Sequence, residues 1–268
     1  GADGIHVAGA SLFTVMDGNS IILNNTDNQF NSVVFSAKGG GFLNSISISN
    51  SGSLELSGLR LTNDLTAVST GNITNTGALD VNGLTTHTAN TIILNQPGND
   101  FTNMQIISGA TVLINDANNI NFVGTSNISD SLTVNVSNGN ITDNVSGTLP
   151  EGNLIFGTNA SLTAINGDIL LDNLTHNFNS IQLASLGNST IIDIDGIVIG
   201  GSNVGADLTL EAGGAITNLV GDIIVNGCTS LTSATSADLL LVRSGGTHAF
   251  DCAKSFYGRS DLECKNVQ

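Results

Sequence analysis

The sequence repeats itself, and no other property narrows its fold as far. Four segments align: Ser20-Ile-Ile-Leu-Asn before Phe30, Thr91-Ile-Ile-Leu-Asn before Phe101, Asp168-Ile-Leu-Leu-Asp before Phe178, and Asp238-Leu-Leu-Leu-Val before Phe250. The phenylalanines recur at steps of 71, 77 and 72 residues. A second landmark keeps the same order: Asp64-Leu-Thr then Gly71-Asn-Ile-Thr, Asp130-Ser-Leu-Thr then Gly139-Asn-Ile-Thr, Asp207-Leu-Thr then Gly214-Ala-Ile-Thr. A third is a glycine after an apolar stretch, at Gly9, Gly83, Gly157 and Gly227.

What lies between the landmarks is the text of short strands. Ile, Leu and Val occur in runs of two to five, broken by Gly, Asn, Asp or Ser, while Glu, Lys and Arg are scarce. In Thr111-Val-Leu-Ile-Asn and Leu132-Thr-Val-Asn-Val, alternate residues can face inward. Gly and Asn at corners supply left-handed backbone cheaply. Asn, Ser and Thr can stack in hydrogen-bonded ladders from coil to coil. The expected fold is all-β: one parallel β-solenoid over residues 1–250, built from super-repeats of about 70–77 residues. At roughly 20 residues per coil and ~4.8 Å per strand, 12–13 coils would make a rod of about 60 Å.

The chain carries 22 acidic and 6 basic residues, a net charge of −16, which excludes a nucleic-acid partner. No apolar run reaches the ~18 residues of a membrane span. The chain opens on Gly1-Ala2-Asp3 and reads as a mature or excised product.

After Phe250 the repeat text stops. Residues 251–268 hold the single tyrosine, Tyr257, and two of the three cysteines, Cys252 and Cys264, with Cys228 just upstream. Residues 1–242 contain 2 basic and 19 acidic residues; residues 243–268 contain 4 basic (Arg243, Lys254, Arg259, Lys265) and 3 acidic ones. A solenoid end exposes strand edges that must be capped or paired. Residues 251–268 are therefore expected to be a cap, pinned by a Cys252–Cys264 disulfide, or a docking tail. In the second case the basic-studded end meets the acidic rod of a second copy, head to tail, and an unpaired cysteine locks the junction.

Gly98-Asn-Asp-Phe101, Val112-Leu-Ile-Asn-Asp116, Ile128-Ser-Asp-Ser-Leu-Thr-Val134 and Gly139-Asn-Ile-Thr142 resemble the β-helical shaft of filamentous haemagglutinin-type exoproteins. Ala206-Asp-Leu-Thr-Leu210 and Gly213-Gly-Ala-Ile-Thr217 repeat the phrasing, and the likeness covers roughly residues 5–250. The resemblance implies a right-handed β-helix, secreted or surface-displayed, used for reach and adhesion. Right-handedness also agrees with the general crossover preference. The family's Asn-Pro-Asn-Gly-Ile secretion motif is absent from the chain, and the chain is far shorter than a typical family member.

Catalytic equipment is not evident. Asp193 and Asp195 alternate with isoleucines and are expected to share one solvated strand face; as a pair they would suit calcium or glycoside hydrolysis. Gly200-Gly-Ser-Asn-Val-Gly-Ala-Asp207 faintly echoes a calcium-binding nonapeptide. His176 and His248 stand two residues before their phenylalanines, where other repeats have Asn28 and Asn99; this marks a hydrogen-bonding turn position. The expectation is a non-enzymatic extracellular structural protein without cofactor. Its partners would be itself and a host or cell-surface glycan or protein. The rival readings are an adhesive binding module and a β-helical polysaccharide lyase or hydrolase.

Overall fold

A computed structural model describes residues 3–144, 147–218, 221–234, 238–240, 248–257 and 259–260, the last three segments as backbone alone. Among the described residues there is no helix, and short strands pair in parallel from one coil to the next. One column runs Leu54–Ile73–Ile92–Val112–Leu132–Ala160–Ile181–Ile199, each residue beside its neighbour in the adjacent coil. Every member is buried, so the coils share one dry core. Alternation does the sorting: in Leu132–Val136 the even positions face in and the odd ones face out.

The solenoid makes about 11 turns, fewer than the 12–13 expected, and is therefore about 50 Å long. Coils longer than 20 residues take up part of the difference, 25 from Ile21 to Ile46 and 25 from Ile223 to His248. Most contacts between coils join residues about 20 apart, but one coil spans 28, measured from Asn140 to Asp168. The extra length is a detour between Asp143 and Gly152, closed by a hydrogen bond from Gly152 N to Asp143 O (2.8 Å). An antiparallel bridge, Val123 with Glu151, marks the same place in an otherwise parallel ladder.

The glycine landmark is a close approach between coils. A Cβ on Gly83 would meet Asn63 C at 2.6 Å, on Gly157 Ser129 O at 1.8 Å, and on Gly227 Ala206 C at 2.7 Å. At Gly9, Gly83 and Gly227 the register also slips, so the motif encodes a bulge at the corner. The aspartate landmark of one coil serves the glycine landmark of the next. Asp64 Oδ1 accepts Leu84 N (2.8 Å) and Asp207 Oδ1 accepts Cys228 N (2.7 Å). At the third copy Asp130 takes the Thr158 hydroxyl (Oδ1, 3.1 Å).

Strand pairing does not end at residue 250, where the repeat text does. The strand His248–Tyr257 pairs in parallel with Ile223–Ser233, and Arg259–Ser260 pairs with Asp238–Leu240. Paired backbone thus continues to Ser260, within the segment 251–268 read as a cap or docking tail. Backbone pairing needs no repeat signature, only extended chain of the right length.

Candidate functional site

The interior polar groups form two series, one at each end of the phenylalanine turn. In the first, the side chain two residues before the phenylalanine accepts a backbone N–H from the preceding coil. Asn28 Oδ1 accepts Ile5 N (2.9 Å), Asn99 Oδ1 accepts Leu79 N (3.0 Å), and His176 Nδ1 accepts Leu154 N (2.9 Å). The turn role read for the Asn/His exchange is what these bonds perform; the His248 side chain lies outside the described residues. In the second series the phenylalanine's own N–H is received by the following coil: Phe30 by Asn50 Oδ1 (2.7 Å), Phe101 by Asp116 Oδ2 (2.8 Å), Phe178 by Asp193 Oδ2 (2.5 Å). Phe30, Phe101 and Phe178 are buried beneath these bonds.

The second series overturns the shared solvated face expected of Asp193 and Asp195, although their carboxylates remain close enough to interact. Asp193 is 2 % exposed and points inward, whereas Asp195 lies beyond the strand end and is exposed. The strand Ser189–Asp193 buries Ile191 and Asp193 on the same side, because the corner needs an acceptor for Phe178 N–H. Burial drives the pKa of Asp193 up to about 7 and does the same to Asp116, also to about 7.

Outside, amides stack. Asn135 Nδ2 donates to Asn115 Oδ1 (3.0 Å), and Thr142 Oγ1 to Asn121 Oδ1 (2.8 Å), while Asn121 Nδ2 donates to Asn103 Oδ1 (3.0 Å). The second of these ladders floors a shallow polar groove of about 490 Å³, lined by Asp100, Thr102, Asn118 and Asn144 among others. A similar hollow of about 520 Å³ lies at the first coil, between His6, Asp27 and Ser51.

A third group was not legible in the sequence. The carboxylates of Asp143, Glu151 and Asp172 offer oxygens within 4.8 Å of one another at the detour in the longest coil. Asp143 is fully buried; its Oδ2 meets His176 Nε2 (2.6 Å) and accepts Asn173 N (3.0 Å). Burial, and then the charge of Asp143, raise the pKa of Asp172. The signal present in the sequence was the 77-residue step. Among the described residues no other three His, Cys, Asp or Glu side chains lie close enough to share a metal ion. Asp207 receives Cys228 N at a corner.

Elsewhere along the rod, His6 is exposed. His87 is fully buried, with only a poorly formed contact to the Ala67 backbone at its ring, and burial lowers its pKa to about 4. Cys228 is disulfide-bonded; the side chains of Cys252 and Cys264, and with them the expected Cys252–Cys264 pairing, lie outside the described residues. The strand register sets Cys252 directly beside Cys228. Lys254, Tyr257 and Arg259 lie on paired backbone whose side chains are not described, as does Phe250; Arg243, Cys264 and Lys265 lie outside the described residues. No described helix is long and apolar enough to cross a membrane.

No curated protein and no solved structure matches the chain. A repeat-family model matches residues 1–37, 43–108, 109–185 and 186–249, which follows the phenylalanine period. The repeats that set the coils, the corners and the buried columns place this chain in the family described as repeats of unknown function (DUF5649), and it belongs to that family.

Proposed function

We propose that this protein is a non-enzymatic structural rod that works outside the cell, stacking head to tail into a surface fibre or adhesin shaft. The observation that carries the reading is Gly9. At Gly83, Gly157 and Gly227 the missing Cβ makes room for the coil before; at Gly9, in the strand His6–Val15, a Cβ would meet nothing within 4 Å. The first coil therefore has the shape of one on which another coil stacks, supplied by chain before residue 1 or, in this proposal, by a second copy. Among the described residues that strand pairs on one side alone, with Gln29–Ala37, and leaves its second edge open. Leu12, Met16 and Ile22 stand exposed close by in sequence. A heterologous contact at this edge extends without closing. The disulfide at Cys228 supports an oxidising compartment.

Gly9→Val is the test. The substitution is accommodated in an isolated rod, because its side chain enters open space. Negative-stain microscopy of the wild type should show rods much longer than ~50 Å, and the variant should leave short rods with the same circular dichroism. A wild type that stays monomeric at high concentration refutes head-to-tail assembly.

A second reading, a binding module for a glycan, is favoured by the groove over Asn103, Asn121 and Thr142, whose amides and hydroxyls can serve sugar hydroxyls. Asn103→Ala and Thr142→Ala should abolish any glycan-array signal; unchanged binding in both removes this reading.

A further inference from the structure

The geometry points to a calcium site at the neck of the longest coil, made by the carboxylates of Asp143, Glu151 and Asp172. Their oxygens converge within 4.8 Å, and Asp143 is 0 % exposed. Its Oδ2 is taken by His176 and Asn173, while its Oδ1 is buried with no hydrogen-bond partner among the described residues. The matching amide oxygen, Asn75 Oδ1, is also buried without a partner. At Asp143 the position falls on a carboxylate, for which a missing donor is costlier unless something fills the place.

Nothing in the surroundings supplies positive charge. His176 Nδ1 accepts Leu154 N–H, so the proton shared with Asp143 sits on Nε2 and the ring is the neutral tautomer. Before Arg243 the only basic residues are Lys38 and Arg60, far along the rod, and Arg60 pairs with Asp80 (3.3 Å). Three carboxylates therefore meet without a cationic side chain.

The repeats provide an internal control. Gly139-Asn-Ile-Thr-Asp143 corresponds to Gly71-Asn-Ile-Thr-Asn75 and Gly214-Ala-Ile-Thr-Asn218. Likewise Leu171-Asp172 corresponds to Leu23-Asn24 and Leu94-Asn95. The coil thus forms with amides at both positions, and acids are no requirement of the backbone. In this one repeat both become acids, and the detour that distinguishes it brings in Glu151. An all-oxygen, triply anionic donor set suits a hard cation, and irregular geometry with a larger coordination shell favours calcium over magnesium. The ion would tie together the two ends of the detour, which backbone bonds already hold at Gly152 and Glu151.

The site is independent of the assembly reading and is tested on the full-length protein after chelation. Calorimetric titration with calcium chloride should show one site with a Kd on the order of 10⁻⁴–10⁻³ M, and calcium should raise the Tm. Glu151→Gln and Asp172→Asn should each weaken binding at least about tenfold with unchanged circular dichroism. No heat and no Tm shift in the wild type at 10⁻² M, on the order of ten times the weakest expected Kd, would overturn the site. Binding that survives in both variants, or magnesium bound as tightly as calcium, overturns it equally.

Discussion

The corner around Asn75 and Asn99 and the corner around Asp143 and His176 are the same piece of architecture in two chemical forms. In the first, Asn75 Nδ2 donates to Asn99 Oδ1 (2.8 Å), and a four-residue step leads from Asn75 to Leu79, whose N–H Asn99 receives. In the second, His176 Nε2 meets Asp143 Oδ2 and the step to Leu154 is eleven residues. The backbone contact survives unchanged, since His176 receives Leu154 N–H as Asn99 receives Leu79 N–H. What differs is charge and loop length. The solenoid fixes where a polar group must sit and tolerates several groups there, so a repeat can acquire chemistry without losing its fold.

The largest effect expected is common to both corners. Phe101→Ala and Phe178→Ala each remove a fully buried ring and should cost about 3–5 kcal/mol in chemical denaturation. Phe178 also stacks on Phe156 at 5.2 Å, so its loss should be the greater. Equal costs would mean that the two corners pack alike.

Next, His176→Ala should cost about 3 kcal/mol, because it strands both Leu154 N–H and the Asp143 carboxylate. The double change Asp143→Asn with His176→Asn rebuilds the amide pair of the other corner and should recover most of the loss. A double-mutant cycle with a coupling of at least about 1 kcal/mol is expected; additivity would show that the corners are not interchangeable.

Acidity separates the interiors further. His87 is held neutral, with a folded pKa of about 4 below an unfolded value of 6.5, so its contribution is intact above pH 6.5 and lost as pH falls toward 4. The full loss is about 3 kcal/mol, and His87→Leu should flatten it. Asp116 and Asp193 act oppositely. Their folded pKa of about 7 exceeds the unfolded 3.8, so their contribution is present below about pH 4 and lost as pH rises through 7. Asp116→Asn and Asp193→Asn should remove that decline, which the shift bounds at about 4 kcal/mol for Asp116, because Asn50 already fills the equivalent position. Melting curves across pH should therefore peak on the acid side of neutrality. The smallest effect is at the surface. Arg60→Ala loses an exposed pair with Asp80 and a contact 4.0 Å above Phe42, and should cost under about 1 kcal/mol.

The period of the landmarks was enough to specify a coiled stack, since apolar residues repeating beside glycine and asparagine leave the chain one economical way to bury them. The same text located the turn histidine, because an imidazole and an amide offer the same acceptor to a backbone N–H. Direction was another matter. Asp193 sits in an alternating run that reads equally well facing either way, and it turns inward to receive Phe178 N–H from a coil 15 residues back. The Cys228 disulfide and the Asp143, Glu151 and Asp172 cluster join residues separated along the chain. Such contacts depend on how many residues each winding takes, and a single detour resets that count for everything after it. Composition and spacing thus decided that the chain winds, while the three-dimensional stacking of unequal windings decided which acids meet and which are sealed inside.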